Sequence, residues 1–166
     1  MAIADALIAE LEQEAVTTRR VLERVPGDKL SWKPHEKSMS LGRLAQHVAE
    51  VPAFVAGLAT QNPGSLPENS EPASAESVDD VLSALDDSVG KAKETLQGFD
   101  DAAMMETWSL VSGGKTLISM PRVALVRALM LNHWYHHRGQ LSVYLRLLDV
   151  PVPSIYGPSA DENPFA

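Results

Sequence analysis

The sequence predicts an all-α protein built as a four-helix bundle, and three observations carry that expectation. Four long segments return apolar residues at helical spacing, each bounded by Pro, Gly or a capping hydroxyl. The chain has 166 residues and is 45% hydrophobic, the size of one domain with a real core, read here as spanning 1–166. Amphipathic helices of this length each need to bury one stripe, and packing against one another is the simplest way to do so.

The first helix is expected from Ile3 to about Arg24, where Leu7, Ile8, Leu11, Ala15 and Leu22 recur before Pro26-Gly27. A loop from Asp28 to Met39 follows, carrying Trp32, Pro34 and His35. Ser40 reads as the N-cap of a second helix, Leu41 to about Ala59, with Leu44, Val48, Val51, Val55 and Leu58 on its buried face. Pro52 lies inside that helix and predicts a kink or a broken hydrogen bond.

From Thr60 to Glu76 the chain is rich in Pro, Ser, Asn and Glu and has no periodicity, which predicts a long crossover between helices two and three. Ser77 and Asp80 resemble a capping box opening a third helix, striped by Val78, Val81, Leu82, Leu85, Val89, Ala92 and Leu96. Thr107 to Met120 alternates loosely around Ser112-Gly113-Gly114 and predicts a short β-hairpin. Pro121 suits the first turn of a fourth helix that continues to about Leu148. The tail from about 151 is turn-rich and reads as extended, and its Asp161 and Glu162 read as solubilising charges.

Composition excludes several function classes. The net charge is -8 with a pI near 5.0, and the 14 Lys and Arg are scattered, which argues against nucleic-acid binding. With no cysteine, the chain has no disulfides, no thiolate ligands and no cysteine nucleophile. The first residues lack a signal-peptide pattern, and no apolar run reaches the ~18 residues of a membrane span, so a cytoplasmic protein without membrane partners is expected.

Three of the five histidines fall at His133, His136 and His137 within the fourth helical segment. Residues four apart share a helix face, so His133 and His137 can direct imidazole nitrogens to one point, while His136 falls toward the flank. Projection at ~100° per residue places His133 and His137 in one arc with Val126, Met130, Leu141, Tyr144 and Leu148. An unsatisfied buried polar group there would cost on the order of 1–3 kcal/mol, and ligation of a divalent metal answers that need. His47, midway along the second helix, is the candidate third ligand.

Three imidazoles would leave a coordination position open to solvent or substrate, the layout of a catalytic site. The zinc-protease pattern is absent because Asn132 and Trp134 flank His133. His35 reads as a solvated loop residue, and Glu50 as an exposed carboxylate within reach of a supporting role. Trp32, Trp108 and Trp134 read as packing residues.

The segment Leu30-Ser31-Trp32-Lys33-Pro34-His35 through Leu44-Ala45-Gln46-His47, with His133-Trp134-Tyr135-His136-His137-Arg138-Gly139-Gln140-Leu141 about ninety residues later, resembles the DinB-like family. This is the damage-inducible, YfiT-like group of metalloenzymes. The likeness covers almost the whole chain. It implies an up-down-down-up four-helix bundle, a homodimer, and a divalent ion, nickel or zinc, held by His47, His133 and His137 and not by His136.

For activity the resemblance implies a metal-dependent hydrolase or a transferase using an exogenous low-molecular-weight thiol, acting on a small-molecule substrate. It names neither the substrate nor the catalytic residues. Two other readings stand beside it: a non-enzymatic metal-binding stress-response module, and a metal-free interaction protein whose histidines are hydrogen-bonded core residues.

Overall fold

A computed structural model of the chain describes residues 2–65 and 73–166. The protein is mostly helical with a small three-stranded sheet. In chain order it comprises α1 (Ile3–Leu22), α2 (Leu41–Thr60), β1 (Gly64–Ser65), α3 (Val78–Gln97), α4 (Asp101–Met105), β2 (Thr107–Ser112), β3 (Lys115–Pro121), α5 (Arg122–Leu125), a π-helical segment (Val126–Asn132) and α6 (His133–Leu147). Four long helical runs therefore stand where the apolar periodicity predicts them. Much of the predicted crossover, including Pro67 and Pro72, lies outside the described residues.

Local chemistry sets the helix boundaries. Ser40 Oγ accepts from the Arg43 amide at 3.2 Å and Ser77 Oγ from the Asp80 amide at 3.1 Å, as the two capping patterns predict. The short α4 has no apolar stripe to announce it. It is nucleated by Asp100, whose carboxylate accepts from the Ala103 amide at 2.7 Å.

α2 is the central element, packed against α3, α6, the π segment and β1. Its buried residues, among them Leu44, Ala45, Val48, Ala49, Val55 and Ala56, cover most of its circumference, whereas α3 buries one stripe through Val81, Leu85, Ala92 and Leu96. α1 closes the core against α3 and α6.

Pro52 has no N–H, so the Val48 carbonyl loses its helical donor. The Trp134 indole N–H of α6 donates to that carbonyl at 2.7 Å. On the opposite neighbour, the Ala53 amide donates to Ser88 Oγ of α3 at 2.9 Å. The proline thus leaves α2 helical and tied to both flanking helices.

The predicted hairpin requires correction. β2 and β3 run antiparallel around Gly113 and Gly114, whose φ values of 55° and 74° suit a glycine turn, but β1 pairs parallel to β2, making a three-stranded sheet rather than a hairpin. Two residues are too short for β1 to show any alternation. Gly64 is required there because a Cβ would stand 2.5 Å from the buried Trp108 ring.

The fourth predicted helix also differs. The wide π turns of Val126–Asn132 carry fewer degrees per residue than a regular helix, which moves the buried face by about one residue. Trp134, Arg138, Leu141 and Leu145, each 1% exposed or less, occupy its centre. His133 and Tyr144 lie on its half-buried flank.

The tail has neither helix nor strand after Leu148, but its charges are structural. Asp161 accepts from the Val152 amide at 2.8 Å and pairs with Arg146. Glu162 accepts from the Ser154 amide at 3.1 Å and pairs with Arg20 of α1.

Candidate metal centre

The fold brings His47 of α2 against His133 and His137 of α6. The Nε2 atoms of His47 and His133 are 3.1 Å apart. The three rings meet edge to face, with centroids 4.3 Å apart for His133 and His137, 4.5 Å for His47 and His137, and 5.3 Å for His47 and His133. One nitrogen from each lies within 4.8 Å of the other two.

The donor set fits a divalent ion. Two nitrogens each about 2.0–2.1 Å from one tetrahedral ion stand about 3.3–3.4 Å apart, close to the spacing between His47 and His133. Gln140, one helical turn from His137, accepts from its Nδ1–H at 2.8 Å, which leaves the Nε2 lone pair for a ligand. His137 is buried, while His47 and His133 are half-buried, so the cluster sits at the edge of the core. Of the pair expected on the apolar face, His137 is buried there beside Trp134 and Arg138, while His133 falls on the half-buried flank.

Electrostatics favours neutral rings, the form that ligates metal. Burial, followed by the neighbouring charges of His137, His133 and Arg43, pushes the His47 pKa down to about 4. Burial also lowers His133, with His137 and His136 adding to it. In His137 the lowering by burial is opposed by the Gln140 hydrogen bond.

This depression has a consequence for stability. Between the ordinary histidine value of 6.5 and about 4, the unfolded chain takes up a proton at His47 that the folded chain refuses. The contribution is fully present above that window and is lost as pH falls through it. Metal-free protein should therefore melt at progressively lower temperature from pH 6.5 downward, and His47→Gln should flatten that slope. Parallel melting curves for the two proteins across pH 6.5 to 5 would contradict it.

The remaining candidates lie elsewhere. His35 is exposed, its Nδ1 accepting from the Lys37 amide at 3.2 Å within its own loop. His136 is exposed, with its ring centroid 5.0 Å from that of His137. Glu50 is exposed and accepts from Gln46 at 2.6 Å. Trp108 and Trp134 are fully buried packing residues, and Trp32 meets Tyr144 edge-on at 5.7 Å.

On the face of α6 turned to α1, sequence reasoning missed a buried ion pair. Arg138 pairs with Glu14 at 2.6 Å and donates to Thr18 Oγ1 at 3.1 Å. Tyr156 from the tail donates to the same Glu14 carboxylate at 2.9 Å. The guanidinium lies 5.3 Å from the Tyr135 ring centroid and 5.1 Å from that of Tyr156. Glu14 stands in the apolar phase of α1, between Leu11 and Thr18, and that misplaced charge was the available signal.

Comparison with known proteins agrees with this architecture. The family model described as DinB family matches residues 1–164. The chain is 26% identical over 161 residues to the uncharacterized protein YrdA of Bacillus subtilis, covering 95% of this chain and 90% of that protein. The crystal structure of a DinB-like protein from Bacillus cereus superposes with a TM-score of 0.72 at 21% identity, covering 92% of this chain and 97% of the other. That of a DinB-like protein from Bacillus subtilis, YjoA, gives 0.66 at 20% identity, covering 95% and 98%. At these identities the two structures speak to the fold. No described helix is long and apolar enough to cross a membrane.

Proposed function

The chain belongs to the DinB family, and from that premise we propose that it is a metal-dependent enzyme of small-molecule chemistry, a hydrolase or a thiol-dependent transferase, with His47, His133 and His137 holding a divalent ion. The convergence of three imidazoles carries this reading. An N–H···N bond accounts for the 3.1 Å between two rings and Gln140 satisfies one nitrogen of the third, but neither brings the third ring to the other two; one shared ion accounts for the convergence of all three. Such an ion, zinc or nickel, supplies Lewis acidity to a water or an exogenous thiol.

The chain's own residues supply the rest. Burial favours the neutral form of the imidazoles, and the Gln140 contact favours the His137 tautomer protonated at Nδ1. With no cysteine available, a transferred thiol has to come from a cosubstrate. The same reading treats the chain as one DinB-like domain, its long helices running up-down-down-up, acting in the cytoplasm as a homodimer without nucleic-acid or membrane partners. Val143 and Leu147, one turn apart on α6 and 57% and 56% exposed, offer apolar surface for the second copy.

The test is metal analysis of protein purified without a histidine tag, paired with activity screens with and without added thiols. One ion per chain and metal-dependent turnover are expected, and thiol dependence separates transferase from hydrolase. Protein carrying no ion after incubation with zinc or nickel would overturn the proposal. The non-enzymatic alternative draws on the ligands bridging only α2 and α6, where an ion would staple two helices. It predicts a large drop in Tm on chelation and no turnover with any substrate class.

A further inference from the structure

We infer that the hydrogen bond from the Trp134 indole to the carbonyl freed by Pro52 sets the register of α6 against α2, so that Trp134 and Pro52 are positioning residues of the three-histidine site. The inference rests on the metal-binding reading above and adds to it the device that aligns the ligands. Trp134 adjoins His133 and Val48 adjoins His47, so the 2.7 Å indole bond joins the immediate neighbours of two ligands from different helices. Among the described residues, it is the one hydrogen bond between α2 and α6 besides the 3.1 Å contact of those rings.

Pro52 leaves this bond as the replacement for the one the Val48 carbonyl would otherwise accept within α2. In a regular helix the Val48 carbonyl would accept from the amide of residue 52, and Pro52 has none. The vacated acceptor is buried among apolar side chains, where an unmatched carbonyl is costly, and the fully buried indole has one donor to place. Each group therefore dictates the position of the other. Sliding α6 by one residue would move it about 1.5 Å and turn it about 100°, breaking this bond and separating the imidazoles together.

A second bond near Pro52, from the Ala53 amide to Ser88 Oγ at 2.9 Å, ties α2 to α3 instead. It touches no ligand-bearing partner helix. Trp134 and Ser88 thus form a natural pair of probes: both satisfy backbone groups beside the same proline, and one alone lies between the metal ligands.

The experiment uses the full-length untagged chain, with zinc and cobalt(II) as the probe ions. Trp134→Phe keeps an aromatic ring and removes the donor. It is expected to weaken metal affinity about ten-fold, the size of effect seen when a supporting residue around a metal ligand is lost, and to change the cobalt d–d absorption envelope. Ser88→Ala should lower Tm while leaving affinity and spectrum unchanged.

The decisive variant is Trp134→Phe with Pro52→Ala, which restores an amide donor to the Val48 carbonyl and keeps the chain folded if the single variant is weak. It should regain thermal stability without regaining metal affinity. Native-like affinity in Trp134→Phe, or recovery of affinity together with Tm in the double variant, would reduce the indole bond to ordinary core satisfaction and overturn the inference. Failure of the native chain to bind either ion would instead overturn the metal site itself.

Discussion

His137→Ala is expected to abolish stoichiometric metal binding. Its imidazole is the most buried of the three, and Gln140 already holds it in the ligating tautomer. Structural zinc sites bind with about 10–16 kcal/mol over four ligands, so one ligand carries about 2.5–4 kcal/mol and its loss lowers affinity about 70- to 900-fold. His47 and His133 alone would not retain an ion through dialysis. Helical content should persist, because the side chain lies at the edge of the core, away from its apolar centre.

His136→Ala is the matched control. It removes an exposed imidazole one residue away and should leave the metal content at one ion per chain. Metal analysis together with far-ultraviolet circular dichroism checks both variants. A full ion in His137→Ala, or a lost one in His136→Ala, would show that the ligand set is assigned wrongly.

Arg138→Met should produce the largest loss of stability. The guanidinium is 1% exposed and its Glu14 partner 6%, so the substitution leaves a carboxylate buried without its cation. Breaking one side of a buried pair costs about 3–5 kcal/mol. At about 2–4 °C per kcal/mol for a chain of this size, Tm should fall by roughly 6–20 °C.

The mechanism is the stranded charge rather than the lost bond, which a second variant separates. Glu14→Leu combined with Arg138→Met removes both charges from the interface and should recover much of the loss, since apolar replacement of a buried pair is often neutral or stabilising. Scanning calorimetry reads both. A double variant as unstable as the single would place the cost in packing around Tyr135 and Tyr156 instead.

Much of this was legible without coordinates. The stripe of Val81, Leu85, Ala92 and Leu96 and the hydroxyls of Ser40 and Ser77 fix helices and their starts, because periodicity and capping act over one or two turns. The spacing of His133 and His137 is likewise a property of one helix. His47 is only a candidate from its place midway along the second helix, since no local rule links residues 86 apart, and family resemblance is what points to it as their partner.

Read along the chain, the residues yield an inventory: four long helices, the caps at Ser40 and Ser77, a glycine turn near 113, and a histidine set rich enough for a metal in a chain without thiols. How these parts meet depends on the assembled fold. The π segment precedes a face of α6 on which Trp134 and Arg138 fill the core, His137 is buried beside them and His133 lies on the flank. The carbonyl left by Pro52 found its donor on another helix, Glu14 found its cation 124 residues away, and Gly64 became a strand beside Trp108. Each of these depends on satisfying a buried polar group or filling a fixed volume across the core, and such demands arise only when distant segments share one low-dielectric space.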